Sequence, residues 1–389
     1  KFIQVFAGLV IFLFIPLYAA AVLTGGCEYL AQQFELEYEV AVLVFSVIIA
    51  AYVVIGGLKG VMYTDALQGS IMFIGMIILL FWTYSKVGGV VEGHTYLTGL
   101  KKLVPGAMVD QGHQGWTEMP KFGFGDKVYN YWWVVVTTIV RGVGIGVLAQ
   151  AQWAVRRMTV KSKRELNRAV LIGGIFILVM TGVAFTVGSL SNAYFAQKGT
   201  PFVGRVDKVI DEDRGHALLQ LMKPNEAGEY EDIPAKVPVV LTDDEPLAQV
   251  SVAGEDVSVV QGRSISIVYA KKNSAQIIPL YIKDAMPEGF SMLFLLALLA
   301  AAMSTLSSQF HAVGTSIGRD VYEVATGQHG RSVGITRVGI MLGIVLAVVI
   351  SLWARESTFI PRATAIFFGL CASAFLPTFV GGLFFRRMT

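Results

Sequence analysis

Charged residues are scarce in this chain of 389 residues: Asp, Glu, Lys and Arg make up 15%, and the formal net charge is +3. No basic block suggests a nucleic-acid partner, and none is predicted. The two cysteines, Cys27 and Cys371, lie in apolar segments and are interpreted as small core residues, which leaves the redox compartment undetermined. The five histidines show no metal-ligand spacing such as HExxH.

Long apolar runs dominate instead. Hydrophobic residues make up 54% of the chain, and the mean hydropathy is +0.61. A membrane-spanning helix needs about 20 apolar residues. Eight runs qualify, at 3–27, 41–57, 66–86, 129–152, 166–194, 289–318, 333–354 and 361–385. The sequence therefore predicts an all-α polytopic membrane protein, and because it begins with Lys1 we expect an internal piece of a longer chain.

Basic residues indicate the orientation. They lie on alternate connections, at Lys59 and within 156–168, 319–337 and 386–387, whereas connection 28–40 carries glutamates and no base. Since Lys and Arg stay on the cytoplasmic side, both ends of the chain are predicted to be cytoplasmic, in the cell membrane. Two helix starts are also predicted: Ser162 to Glu165 as a capping box for the fifth span, and Asp65 to Gln68 as a similar cap for the third.

The connection at 196–284 differs in composition from the rest of the chain. Its 197–276 portion holds 13 acidic and 9 basic residues, and 250–270 alternates like paired strands around the turn residues Gly254 and Gly262. We predict a small β-rich extracytoplasmic insert between membrane regions 1–195 and 285–389. A disordered loop is the alternative, because insertions in loops cost little.

Two glycine motifs have competing interpretations. Residues 314–318 match GxSxG, but a hydrolase elbow needs a strand–turn–helix context, whereas this motif ends an apolar helix and no His/Asp partners are evident. An enzyme is therefore not predicted. Gly142 and Gly146 could mimic a dinucleotide loop, but no soluble strand precedes them. Their GxxxG spacing favours close helix packing instead, and Gly339 and Gly343 have the same spacing.

A stripe of hydroxyl groups ends the sixth apolar run. Ser304, Ser307, Ser308, His311 and Thr315 share one helical face, with Thr305 at its edge. Because lipid would not tolerate this stripe, it must face protein, water or an ion. The hydroxyls of Ser304 and Thr305 and the Ala301 carbonyl could hold a small hard cation. Bonding to the preceding turn or helix–helix contact is the alternative.

Several motifs together resemble one family. The segment AAAMSTLSSQF followed by GRDVY is similar to the signature helix of the sodium/solute symporter family, especially its sodium/proline members. Residues 55–68, 150–158 and 369–388 resemble further family segments in the same order. The resemblance covers every predicted span and excludes the 197–276 insert. It implies a leucine-transporter-type inverted-repeat fold, here incomplete, with the family's fourth to eleventh helices present and a broken helix expected before Lys1.

The resemblance also implies a site. Carried over by position, a Na⁺ site would use the Ala301 carbonyl and the Ser304 and Thr305 hydroxyls, with further carbonyls from the broken helix. Asp65 matches an acid at the inner sodium exit route, where a helix N-cap is a compatible alternative. Tyr18 and Phe368 match aromatic positions near the substrate, and Gln150 is a candidate lining residue. Packing is the alternative for all three.

Arg141 lies in the middle of the fourth predicted span. A central Arg costs about 2.5–3.5 kcal/mol on insertion scales, so it must face the interior and find a partner. It is either a clamp for a substrate carboxylate or a structural pair. The family's sodium/proline members have an uncharged residue at about this place, which favours an organic anion over proline.

These residues predict a sodium-coupled symporter that imports a small organic solute, an amino acid or a monocarboxylate, with Na⁺ as coupling ion. The bilayer is its environment, and no obligate protein partner is evident. One alternative is a membrane sensor built on the same fold. Another is a proton-coupled carrier using His311 or Asp65, although His311 is also interpreted as a hydrogen-bonded interior residue.

Overall fold

The computed structural model describes residues 1–104, 106–123, 130–198, 201–212, 216–241, 248–252, 255–264, 277–328, 332–354 and 359–385. Most of these residues are helical, which confirms the predicted fold class. The α-helices are α1 Phe2–Phe34, α2 Tyr38–Lys86, α3 Val90–Gly99, α4 Gly106–Asp110, α5 Tyr131–Trp133, α6 Gly144–Gly146, α7 Ala151–Met158, α8 Lys163–Lys198, α9 Ile277–Ala285, α10 Glu288–Thr315, α11 Val324–Thr326, α12 Ser332–Trp353, α13 Phe359–Leu370 and α14 Leu376–Phe384. Segments Val134–Val143, Ser316–Glu323 and Cys371–Phe375 are π-helical, and Leu100–Leu103 and Val147–Ala149 are 3₁₀-helical.

Six helices in the described ranges are long and apolar enough to cross a membrane. They are Phe2–Phe34, Tyr38–Lys86, Lys163–Lys198, Glu288–Thr326, Val333–Trp353 and Phe359–Gly382. Seven of the eight predicted spans fall in these six helices, because the second and third lie together in α2. The protein is therefore a polytopic, helical membrane protein.

Helix α2 accommodates two predicted spans because it is broken at Gly57. Its 49 residues would extend about 73 Å as a straight helix, more than twice the hydrocarbon thickness of a bilayer. Gly57 has φ 56° and ψ −168°, a conformation that favours glycine. Beyond it the chain runs antiparallel to α10: Asp65 contacts Ser307, and Gly75 packs against Ala297. The end of the second predicted span, 41–57, is thus confirmed.

The fourth predicted span, 129–152, is not one regular helix, and that prediction was wrong. The chain passes from α5 through a π-helical segment, α6 and a 3₁₀ turn, and it is extended at Gln150, with φ −62° and ψ 133°. Three glycines at alternate positions, 142, 144 and 146, favour this irregular backbone because glycine costs helix stability. Apolar composition alone could not show the break.

The chain divides into two compact units: Lys1–Ile78 with Trp133–Val183 and Ile282–Thr389, and Leu79–Trp132 with Ala184–Tyr281. In the first unit, α1, α2, α10 and α12 share one buried apolar cluster. Small residues allow close approach. A Cβ at Gly314 of α10 would lie 2.5 Å from the Thr336 carbonyl oxygen of α12, and one at Gly343 would lie 2.8 Å from Val313. The packing role predicted for Gly343 is confirmed.

The second unit contains a five-stranded antiparallel sheet. Its strands are β1 Pro201–Asp211, β2 His216–Pro224, β3 Tyr230–Leu241, β4 Ala248–Val252 and β5 Glu255–Ser264. The order is β1-β2-β3-β5-β4, and β5 also pairs with β1, so four strands form a closed ring. Closure leaves β4, which among the described strands pairs only with β5, outside the ring. Gly204 of β1 approaches the Gln220 backbone too closely for any Cβ.

The sheet confirms the β-rich composition predicted for the insert. Strands β4 and β5 pair from Ala248 with Val259 to Val252 with Glu255, as the alternating pattern indicated. Gly262 is not a turn residue, however: it lies inside β5, opposite Phe202 of β1 and Leu241 of β3. Its turn assignment was wrong because the ladder continues through it. Gly254 lies outside the described residues.

Candidate ion and solute site

The hydroxyl stripe on α10 forms two kinds of local environment. Ser304 Oγ donates to the Ala301 carbonyl at 3.2 Å, Ser308 Oγ donates to the Thr305 carbonyl at 2.9 Å, and Thr315 Oγ1 donates to the His311 carbonyl at 2.7 Å. These are bonds to the preceding turn, the alternative that the sequence left open. The half-buried Thr305 hydroxyl has no hydrogen-bond partner among the described residues. Thr305 is therefore the hydroxyl with its oxygen uncommitted.

The spacing of Ser304 Oγ and the Ala301 carbonyl oxygen suits a shared cation. Oxygen ligands surround Ca²⁺, an ion of similar size to Na⁺, at about 2.3–2.6 Å. Two ligands at right angles would then lie about 3.4 Å apart, close to the observed 3.2 Å. A hydroxyl that donates its proton keeps lone pairs for a cation. The back-bond of Ser304 is therefore compatible with ion binding.

Asp65 lies inside α2 and caps no helix, so its predicted N-cap role was wrong. Residues on both sides of it are helical. Its carboxylate pairs with the Arg156 guanidinium of α7, and Ser307 Oγ of α10 donates to Asp65 Oδ1 at 3.4 Å. The Asp65 side chain is 11% exposed and that of Arg156 is 30% exposed. The cap pattern failed because tertiary contacts give this carboxylate better partners than its own backbone.

Three contacts to this region were missed by sequence reasoning. Ser307 Oγ also donates to the Ser304 carbonyl at 3.0 Å, so the Asp65 carboxylate is one helical turn from the predicted ion ligands. Tyr52 of α2 donates its hydroxyl to the Met303 carbonyl at 2.7 Å. The basic residue Arg156 was assigned only to a cytoplasmic loop. No local pattern could reveal the Tyr52–Met303 and Arg156–Asp65 contacts, because each joins residues far apart in the chain.

The structure brings the predicted aromatic residues together. Tyr18 of α1 stacks on Phe367 of α13, with ring centroids 4.8 Å apart, and meets Phe368 edge-on at 5.3 Å. Phe368 is buried in a cluster that also holds Ala312 of α10. Gly146 packs so closely on the Phe368 backbone that no Cβ would fit, which confirms the predicted packing role of Gly146.

Gln150 is buried at the break between the 3₁₀ turn and α7. Its carbonyl accepts from Trp153 N at 3.1 Å and Ala154 N at 3.0 Å, and its Oε1 accepts from Gln152 Nε2 at 2.7 Å. Its neighbours Val147 and Ala151 pack on the aromatic cluster. Arg141 lies in the π-helical segment Val134–Val143, which packs against α13. The side chain of Arg141 is outside the described part of the structure.

Gln309 is a buried amide that sequence reasoning missed. It is fully buried on α10, and neither its Nε2 nor its Oε1 has a partner among the described residues. It lies one turn after Thr305 and one turn before Ala312, between the hydroxyl stripe and the aromatic cluster. An unsatisfied buried polar group costs about 1–3 kcal/mol, so a polar occupant is expected beside it. The sequence feature that could have identified Gln309 was a single amide side chain within an apolar run.

The other motifs have structural roles. Ser316, the serine of GxSxG, is buried in a π-helical segment and donates to the Val313 carbonyl at 2.8 Å. This helical context is not the strand–turn–helix that a nucleophile elbow needs. Glu165 N donates to Ser162 Oγ at 3.3 Å, which confirms the backbone half of the predicted capping box at the start of α8.

Apolar spanning helices that turn hydroxyl, amide and ion-pair groups into the bundle define a polytopic membrane protein with a polar interior. The chain belongs to the sodium:solute symporter family, whose family model matches residues 1–224 and 249–389. The unmatched residues, 225–248, lie within the predicted insert. The resemblance found in the sequence motifs is thus confirmed, but its exclusion of the whole 197–276 insert was wrong, because the match includes residues 197–224 and 249–276.

Individual relatives are symporters and transporters by name. The chain is 31% identical over 169 residues to a sodium/pantothenate symporter of Haemophilus influenzae, covering 43% of this chain and 31% of that protein. It is 26% identical over 206 residues to the high-affinity proline transporter PutP of Bacillus subtilis, covering 51% and 38%. It is 38% identical over 82 residues to mouse sodium/myo-inositol cotransporter 2, covering 21% and 12%. The chain therefore matches about a third of the length of its first relatives.

Proposed function

We propose that the full-length protein is a sodium-coupled symporter that imports a small organic solute. The observation that carries this proposal is the family match, which extends over both membrane regions of the chain. Two of the relatives named above pair sodium with different solutes in their names, pantothenate and myo-inositol, so we take sodium coupling to be shared and the solute not. The geometry of α10 adds support, because it offers oxygens suited to Na⁺.

The proposed coupling site consists of the Ala301 carbonyl and the Ser304 and Thr305 hydroxyls. Na⁺ bound there would stabilise the arrangement of helices that accepts solute, since a ligand favours the state to which it binds better. Rocking of the bundle would then expose both to the cytoplasm. A membrane potential contributes about 2.3 kcal/mol per unit charge per 100 mV to this step.

Asp65 is the proposed acid of the inner sodium route. It lies one turn from the coupling site through Ser307 of α10, and its ion pair with Arg156 joins α2 to α7. A carboxylate attracts a leaving cation, and the guanidinium is a competing positive charge that would release the cation again. The pair would thus give Na⁺ a transient site on its way inward.

The proposed solute is a small organic anion, an amino acid or a monocarboxylate. Gln309 supplies one side-chain amide, whose Nε2 and Oε1 have no partner among the described residues, one turn before Ala312 of the aromatic cluster. Arg141 is the proposed carboxylate clamp, and Gln150 a proposed lining residue. Pantothenate and proline both carry a carboxylate, which is consistent with such a clamp.

The cellular setting is also a proposal. The basic connections are proposed to face the cytoplasm, in the plasma or inner membrane of the cell. Both ends of this chain would then lie on the cytoplasmic side, and the insert at 196–284 on the opposite side.

Transport needs no bond making or breaking, so no residue is assigned a catalytic role. Lipid and a small solute are the proposed partners.

Replacing sodium in an uptake assay tests the proposal. The full-length protein, in sealed vesicles with imposed sodium or pH gradients, would be offered labelled pantothenate, proline and small monocarboxylates. Uptake of at least one solute should require external sodium and stop when choline replaces it. Uptake that follows a pH gradient without sodium would contradict sodium coupling and favour the proton-coupled carrier. Failure of all solutes together with solute-dependent signalling would favour the sensor.

A further inference from the structure

A groove on the first unit lies between α7 and α8, apart from the coupling and solute residues. Its volume is about 260 Å³, and its walls are apolar apart from Arg156 and Arg157 at one end. On the α8 side, Gly173 and Gly174 open it, because nothing lies within 4 Å of the position a Cβ would take on either. On the opposite side, Trp153 of α7 forms part of the wall.

The dimensions of the groove fit one lipid chain. Its α8 wall extends from Leu166 to Ile177, about 16 Å along the helix axis at 1.5 Å per residue. One leaflet contributes about half of the 30 Å hydrocarbon thickness of a bilayer. An acyl chain that begins at the mouth would therefore be covered for the depth of its own leaflet.

The basic residues at the end of the groove near Arg157, called its mouth, indicate which lipid headgroup would bind there. Residues 156–168 hold six basic side chains and one acid, Glu165. Arg156 is paired with Asp65, and Arg168 with Glu165 at 3.2 Å. Arg157 has a long bond of 3.5 Å to the Leu148 carbonyl, and it forms no ion pair within the described ranges. Lys161 follows the lining residue Val160 directly. Basic groups beside a membrane helix attract anionic headgroups.

We propose that the groove between α7 and α8 binds an anionic glycerophospholipid. The phosphate lies at Arg157 and Lys161, and one acyl chain fills the groove past Gly173 and Gly174. The occupant is lipid because the apolar wall opens to the membrane side of two helices, where Val170 is 60% exposed. The inference requires neither a particular solute nor sodium coupling.

Trp153 provides a direct reporter. Full-length protein would be reconstituted in phosphatidylcholine vesicles containing an equal small fraction of brominated phosphatidylglycerol or brominated phosphatidylcholine, and quenching of tryptophan fluorescence measured. The same measurement on Trp153→Phe isolates the signal of this side chain from that of the other tryptophans. The expected result is a several-fold preference of the Trp153 site for the anionic lipid.

Two pairs of variants test the mouth and the wall. Arg157→Gln should lower the preference about fivefold, the effect of one interfacial charge, whereas Arg168→Gln, outside the lining, should change it little. Gly173→Leu should reduce quenching of Trp153 by both lipids because it fills the groove. Gly182→Leu, nine residues further along α8 and also unobstructed, should not. Gly174→Leu is a second filling variant should Gly173→Leu fail to assemble.

Three outcomes would overturn the proposal. A preference near one in the wild type would show that the site does not distinguish headgroups. An equal loss in Arg157→Gln and Arg168→Gln would show only diffuse attraction to a basic surface. Unchanged quenching in both filling variants would show that no acyl chain enters the groove.

Discussion

Removal of the Thr305 hydroxyl is the sharpest test of the coupling site. Ser304, Ser308 and Thr315 each bond a carbonyl of the preceding turn, whereas Thr305 has no partner in the described part of the chain. Thr305→Val keeps the branched shape of the side chain and replaces the hydroxyl with a methyl group. Thr305→Ala deletes the oxygen and one methyl group.

The size of the effect follows from the loss of one ligand to a charge. A hydrogen bond to a charged group is worth about 1.5–3 kcal/mol, and we take a cation–hydroxyl contact to be similar. At 1.4 kcal/mol per tenfold change, the sodium concentration for half-maximal uptake should rise about 10- to 150-fold. Thr305→Ser, which restores the oxygen, should return most of the lost affinity.

The assay is solute uptake by vesicles as a function of external sodium. Thr315→Val is the matched control, because it makes the same change on the same helix to a hydroxyl that already bonds the His311 carbonyl at 2.7 Å. Its sodium requirement should stay within about threefold of the wild type. A shift of less than threefold in Thr305→Val, or an equal shift in the control, would refute the assignment of Thr305 as an ion ligand.

Three further predictions follow from the site. Arg141→Met should abolish uptake of carboxylate solutes, measured as binding and transport; unchanged affinity would make Arg141 a structural residue. Gln309→Leu should raise the solute KM while increasing thermal stability by about 1–3 kcal/mol, since it removes a buried amide that has no partner among the described residues; a lower melting temperature with an unchanged KM would contradict this. Asp65→Asn and Arg156→Gln should each destabilise the protein. In a double-mutant cycle the double variant should lose about 3 kcal/mol less stability than the sum of the two single losses, the low end for a buried pair because Arg156 is 30% exposed. Additive losses would show that the pair is not coupled.

Buried polar and charged groups lower the stability of the folded protein, and a role in transport explains their presence better than a role in stability does. Packed apolar groups of the same volume are often as stable as a buried ion pair. Packing stability alone therefore does not explain the Asp65–Arg156 pair or the buried amide of Gln309. Both lie within one or two turns of the proposed ion ligands on α10, where a moving cation and a solute would use them.

The sequence by itself determined the protein class. Repeated apolar runs of membrane-spanning length are typical of a polytopic membrane protein, and the ordered motifs around Ser304 and Thr305 indicated the family. The break at Gly57 and the strand pairing of β4 with β5 could also be predicted from the sequence. Glycine favours a positive φ, and period-two alternation is typical of strands, so both depend on local properties of the chain.

Only the tertiary structure decided how distant residues meet. Asp65 resembled a helix cap, yet its carboxylate pairs with Arg156, 91 residues later, and with Ser307, 242 residues later. The regular helix predicted at 129–152 breaks at Gln150, and Gln309 gave no local sign that its amide would be buried without partners. Sequence patterns report forces between neighbours in the chain, whereas burial and pairing depend on which helices pack together.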